Sequence, residues 1–166
     1  MITLLVINMM AVSRSTDYAA RIVLFLATQE EGALVSIAEI ATSRLLPVPF
    51  VRRIVSRLAE AGILRTARGV RGGVALSRSA SEISLGDVLA AMEGSTCPSP
   101  CVEDAGNCPF GNSCPVRGAW AGAAEILDDY LHKIRFSELA NDPGHREAHR
   151  KARPARRTSV ESLSSS

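Results

Sequence analysis

The chain has 166 residues, 46% of them hydrophobic, and a formal net charge of +2. That length suits one domain with an arm or tail, and that apolar content excludes wholesale disorder. No apolar run approaches the ~18 residues of a membrane helix, and the near-neutral total charge points by itself to no class of partner.

The first ten residues, MITLLVINMM, lack the basic start, long apolar run and small-residue cleavage site of a secretory leader. The chain therefore reads as cytoplasmic, with no membrane association. STDYAARIVLFLAT predicts a first helix, capped by Ser15 or Thr16, with Ala19, Ile22, Val23, Leu26 and Ala27 at helical spacing. SIAEIATSR predicts a second, with Ser36 and Glu39 in capping-box register. LLPVP turns the chain, and Pro47 and Pro49 discourage helix until PFVRRIVSRLAEAG starts a third. Val51, Ile54, Val55 and Leu58 form its apolar stripe, Arg52, Arg53 and Arg57 lie off it, and Gly62 stops it.

ILRTARGVRGGVALS holds two β-prone runs around a tip of glycine and arginine at residues 68–73, which reads as a hairpin. ISLGDVLAAMEG predicts a fourth helix, capped by Ser84 and closed by Gly94. All four cysteines fall in the loop at residues 95–115. A long amphipathic helix is expected at residues 116–135, with Trp120, Ala123, Ile126, Leu127, Tyr130, Leu131 and Ile134 on one side. Residues 141–166 are polar, basic and Ser-rich, the composition of a disordered tail.

Charge is unevenly spread. Residues 44–78 carry eight arginines against one acid, Glu60, while residues 82–129 carry eight acids against one base, Arg117. Three helices followed by a hairpin describe a winged helix-turn-helix, so the expected fold is mainly α with a small β-wing. A helix fits the DNA major groove, and a glycine-rich wing lets backbone approach phosphate. The DNA-contacting candidates are Ser36, Pro49, Arg52, Arg53, Arg57, Arg68, Arg71 and Gly72. An arginine face alone is no more than a solvated helix surface, and arginine-rich composition also follows from GC-rich codons. The turn, the arginine arc and the wing together favour double-stranded DNA.

Cys97, Cys101, Cys108 and Cys114 are spaced C-x3-C-x6-C-x5-C. In a cytoplasmic protein such a cluster binds metal or does redox chemistry more often than it forms disulfides. Zinc sites show paired C-x2-C or C-x4-C knuckles, absent here, whereas an iron–sulfur cluster is larger and tolerates looser loops. Buried free thiols or a disulfide pair would not explain why all four cysteines sit in one polar loop.

These motifs carry a resemblance: STDYAAR, PFVRRIVSRLAEAGIL, RGVRGGVALSRSASEISLGDVLAAMEG and the C-x6-C-x5-CPVRGAW run. Over about residues 12–140 the chain resembles the bacterial iron–sulfur winged-helix transcriptional regulators that include IscR, NsrR and RirA. The resemblance implies a homodimer paired through the long helix and a two-iron or four-iron cluster that sets operator affinity. It implies Cys101, Cys108 and Cys114 as ligands, with Cys97 a spare thiol or alternative ligand. IscR-like members place a histidine three residues past the last cysteine; here that position is Arg117, which cannot ligate. NsrR-like members use an aspartate of a TDY motif on the other subunit, and that position is Asp17. A carboxylate is a more readily displaced iron ligand than a thiolate, which suits a sensor. Without the resemblance, Asp17 would read only as a first-turn acid favoured by the helix dipole.

The resulting organisation is an extension at residues 1–10, whose translation is in question because family members begin as the chain would from Met10. A winged helix-turn-helix follows at 11–94 (helix-turn-helix about 37–60, wing about 64–76), then the cluster loop at 95–115, a dimerisation helix at 116–140 and the tail. His132 is expected on the surface of the long helix, and His145 and His149 in the tail. The expected function is a regulator of transcription, a repressor acting at an imperfect palindrome and sensing nitric oxide, iron or redox state. The alternatives are a zinc- or thiol-based winged-helix regulator and, more distantly, a thiol-redox or electron-transfer protein. The last is opposed by the lack of a C-x-x-C, a nucleotide loop or a nucleophile–base pair, so no enzyme activity is expected.

Overall fold

The structure, a computed structural model, describes residues 12–69, 72–94, 102, 104, 110 and 113–144. Cys97, Cys101, Cys108, Arg71, His145, His149, the N-terminal extension and the tail beyond residue 144 lie outside the described residues. The order of elements is α1 (Arg14–Ala27), α2 (Ile37–Arg44), α3 (Val48–Glu60), β1 (Leu64–Ala67), β2 (Gly73–Leu76), α4 (Leu85–Glu93), α5 (Pro115–Lys133) and α6 (Phe136–Asn141). No described helix is long and apolar enough to cross a membrane.

α1 begins earlier than its sequence suggests. Its cap is Ser13, whose hydroxyl accepts the Thr16 N–H, rather than Ser15 or Thr16. Thr16 is instead buried and donates to Glu93 at the end of α4. Ala19, Ile22, Val23 and Leu26 are buried as their spacing predicts, and Phe25 joins them. In α2 the Ser36 hydroxyl accepts the Glu39 N–H at 3.1 Å. Among the described residues no bond returns from the Glu39 carboxylate, so only half of the expected capping box forms. The α2–α3 turn passes through Leu45 at φ 55°, which lets the Leu46 N–H reach the Ala41 carbonyl at 2.9 Å.

α3 starts at Val48, ahead of the expected position, with Pro49 inside its first turn. A first-turn proline has no intrahelical N–H to lose, so it does not delay the helix. Val51, Ile54, Val55 and Leu58 are buried, and Gly62 ends the run at φ 71°. β1 and β2 pair antiparallel from Leu64↔Leu76 to Ala67↔Gly73. A further pairing anchors this hairpin: Val35 and Val74 exchange both backbone bonds, at 2.9 and 2.8 Å. A Cβ on Gly73 would lie 2.7 Å from the Val35 carbonyl oxygen, so this close approach needs glycine.

α4 carries a complete capping box, Asp87 N–H to Ser84 Oγ at 3.0 Å and Ser84 N–H to Asp87 Oδ2 at 2.8 Å. The long helix does not run to residue 135. α5 ends at Lys133 because Ile134 turns extended; its carbonyl accepts the Leu85 N–H, and the Phe136 N–H donates to Ile83. That pairing pulls Phe136 fully into the core and starts the short α6, so residues 116–140 hold two helices rather than one. His132 also departs from expectation. It is half-buried against α4: its ring covers Gly86, Nδ1 lies 3.3 Å from Asp128 and Nε2 lies 4.0 Å from Asp87.

Candidate nucleic-acid interface and cluster site

The solvent side of α3 is the complement of its buried stripe. Pro49, Arg52, Arg53, Ser56, Arg57 and Glu60 are all exposed. The eight arginines of the basic segment are not equivalent. Arg44 turns inward, its guanidinium 4.7 Å from the Phe25 ring centroid. Burial, then the nearby Arg21, lowers its pKa. Arg65 donates to the Gly32 carbonyl, and Arg78 to Gly62, Glu82 and Asp87. Arg57 donates to the Ala91 carbonyl at 3.3 Å, so it leans from the expected arc onto α4. Among the described residues, Arg52, Arg53 and Arg68 are the basic-segment arginines without such a tie to another element.

Arg53 has a different support. Its guanidinium carbon lies 4.8 Å from the Phe50 ring centroid. Phe50 in turn meets Tyr18 of α1 edge to face, centroids 5.6 Å apart at 83°. In the wing, Arg68 is exposed. The Gly72 N–H bonds to the Gly69 carbonyl at 2.9 Å, and a Cβ there would lie 2.4 Å from the Ala67 oxygen. Closure of the hairpin alone therefore demands glycine at 72. Ser36 is exposed at the start of α2, its oxygen engaged in the helix cap.

Of the cluster ligand candidates, the described residues include Cys114 and Asp17. Cys114 is the N-cap residue of α5 and carries a free, half-buried thiol. A free thiol at a helix start suits a thiolate-bound iron centre, because the unpaired amides of the first turn favour negative charge. Asp17 sits in the first turn of α1 and is held by Arg21, at 2.9 and 3.2 Å. A ligand role requires that pair to open. No group of three or more metal-capable side chains comes together among the described residues.

One network ties these regions and left no periodic signal in the sequence. The Glu93 carboxylate accepts the Ser13 N–H and the Thr16 hydroxyl. It thus joins the start of α1, next to Asp17, to the end of α4, where the cysteine loop begins. Hydrogen bonds from Ser13 and Thr16, with Arg57 nearby, hold Glu93 below the ordinary glutamate pKa. For Asp87 burial pushes upward, but Ser84, Arg78 and His132 together bring it below the usual aspartate value. The Gly86–His132 contact and the Phe50 platform were likewise absent from the sequence reading. The first pairs residues far apart in the chain, and the second depends on Tyr18, 32 residues before Phe50.

A family model described as Rrf2, iron-dependent transcriptional regulator, matches residues 12–142. The HTH-type transcriptional regulator IscR of Cronobacter sakazakii is 29% identical over 144 residues, spanning 82% of this chain and 88% of that one. The fold is similar to CymR, the global cysteine regulator of B. subtilis, with TM-score 0.65 and 26% identity over 80% of this chain and 97% of that one. It is also similar to T. potens IscR, with TM-score 0.63, 22% identity and coverage of 78% and 85%, a likeness that bears on the fold alone. These relatives are regulators of transcription and not enzymes. With an expected winged-helix fold in place and most of its length matched, the chain belongs to the Rrf2 family of transcriptional regulators.

Proposed function

We propose that the protein is a homodimeric repressor that binds double-stranded DNA at an imperfect palindrome. The observation that carries this is the division of α3: one face is buried to 2% exposure or less, and the other offers Arg52 and Arg53 to solvent. A helix so presented can enter a major groove, and the wing puts Arg68 within the same module. The exposed apolar side chains of α5, Val116, Trp120, Ile126 and Tyr130, supply the surface for a second copy.

Operator affinity is set, in this reading, by an iron–sulfur cluster held by Cys101, Cys108 and Cys114, with Asp17 of the partner subunit as fourth ligand and Cys97 as its alternative. When bound, the cluster supplies a centre sensitive to nitric oxide, oxygen or iron supply. The free Cys114 thiol and the iron-dependent family description support the cluster, and Asp17 inclines the reading toward nitric oxide. Glu93 couples the loop entrance to α1, so a cluster bound in the loop can bias the DNA-binding module. A useful switch needs the two states to differ in DNA affinity by about 1–3 kcal/mol.

Likeness to CymR favours a second reading, a regulator whose cysteines act as thiols without a cluster. The deciding experiment is an absorption spectrum, with iron and acid-labile sulfide assays, on protein purified without oxygen. It is followed by DNA binding before and after metal removal. A brown protein with matched iron and sulfide, and affinity that changes on removal, supports the cluster. A colourless protein whose DNA binding responds to thiol oxidants leaves the second reading.

A further inference from the structure

Arg53 is exposed, yet its guanidinium is not left to wander. It rests 4.8 Å from the centroid of Phe50, three residues earlier on the same face of α3. Phe50 is itself fixed from the other side by the edge-to-face contact with Tyr18, a residue of α1. Pro47 and Pro49 flank the same shallow depression beside Phe50 and Arg53. The ring is therefore half-buried, stiffened by rigid neighbours, and offers one face to the cation.

We propose that Phe50 is the positioning residue of DNA readout: its ring presents the Arg53 fork to a guanine in the major groove. The inference rests on the DNA-binding reading above. Three points favour it. First, a guanidinium stacks on an aromatic face with its plane and donors still available at the edge, whereas an ammonium has no such plane. Second, an arginine fork recognises guanine by paired bonds to O6 and N7, the commonest specific contact in the groove. Third, arginine has a large rotamer freedom to lose, and a fork already held near its bound orientation loses less on binding. Arg52, the neighbouring exposed arginine, has no described ring beneath it and suits a phosphate contact, where a fixed orientation matters less.

At an exposed site a cation over a ring is favoured by about two- to fivefold in population. Phe50→Leu keeps apolar bulk but removes the ring face, so it should weaken binding by about that factor. Arg53→Ala should weaken it by about 5- to 150-fold. The double variant should be no weaker than Arg53→Ala alone, because the ring acts only through Arg53. Phe50→Tyr, which keeps the ring, should restore wild-type affinity.

The test uses the full chain purified without oxygen and the duplex it selects from a random-sequence library. Affinities of these variants are measured on that duplex, thermal unfolding is recorded for each, and selection is repeated with Phe50→Leu and Arg53→Ala. The expected result is a guanine preference, at symmetric positions of the two half-sites, that Arg53→Ala abolishes and Phe50→Leu broadens. Wild-type affinity in Phe50→Leu overturns the proposal, as does a Phe50→Leu effect that persists in the Arg53→Ala background. If Phe50→Leu fails to fold, Arg53→Lys serves: charge stays, the stacking plane goes, and unchanged affinity and guanine preference overturn the proposal. If wild-type protein selects no duplex at all, the DNA-binding reading itself has failed.

Discussion

α3 and α5 are both amphipathic helices with an apolar stripe, and they end in opposite conditions. α3 spends 13 residues and buries Val51, Ile54, Val55 and Leu58 inside the chain. α5 spends 19 residues and buries none, leaving Ile126 73% and Tyr130 62% exposed. Periodicity announces a face that wants covering; it does not say what covers it. For α3 the cover is the rest of the DNA-binding module. In α5 Leu127 and Leu131 are partly sheltered, as is Ile134 just past its end, and the outer stripe is left for a second copy in the reading proposed here.

The largest effect should come from the satisfied helix. Leu58→Ala removes a fully buried side chain and should cost about 2–5 kcal/mol in reversible unfolding. A loss well below that would mean the α3 core is looser than its burial indicates. Next is the seam between the two regions. Gly86→Val drives a side chain into space where even a Cβ would lie 2.6 Å from the His132 ring. It should cost about 1–3 kcal/mol and speed amide exchange near the C-terminus of α5; unchanged exchange there would detach His132 from the seam.

A smaller effect concerns Glu93. Its folded pKa lies below its unfolded value, so its contribution is present above the ordinary glutamate range and fades as pH falls through the folded pKa. Unfolding measured downward from pH 5 should show stability falling in wild type and falling less in Glu93→Gln. Parallel curves would remove Glu93 as the source. The smallest effect on subunit stability, within about 0.5 kcal/mol, is expected for Ile126→Asp, an exposed position. That variant should nevertheless change mass in sedimentation from dimer to monomer. An unaltered dimer would break the contrast drawn between the helices.

Much of this was legible in the sequence. The buried positions of α1 and α3, the hairpin, the Ser84 cap and the Gly94 stop follow from local spacing and turn chemistry. What escaped depends on partners distant in the chain. Ser13 displaced the expected cap because Thr16 had a better use at Glu93, 77 residues away. The long helix broke at Ile134 because Ile83–Leu85 offered backbone bonds and Phe136 had a core site to fill. Arg57 sits where helical spacing puts it, and only the presence of α4 turned it from the arc. For the site, the arginines on α3 were visible as a pattern, whereas their division into tied and untied ones needed the tertiary packing.

The exchange of both backbone bonds between Val35 and Val74 has a consequence for how this region tolerates change. The wing is held to the entrance of α2 by main-chain groups that every residue but proline possesses. The side chains of Val35 and Val74 are core residues and are held to size by their packing, but the pairing itself does not depend on them. Proline at either position removes a donor, and any side chain at Gly73 meets the Val35 carbonyl. The register between the wing and α2 is thus stored in the part of the polymer that mutation does not rewrite.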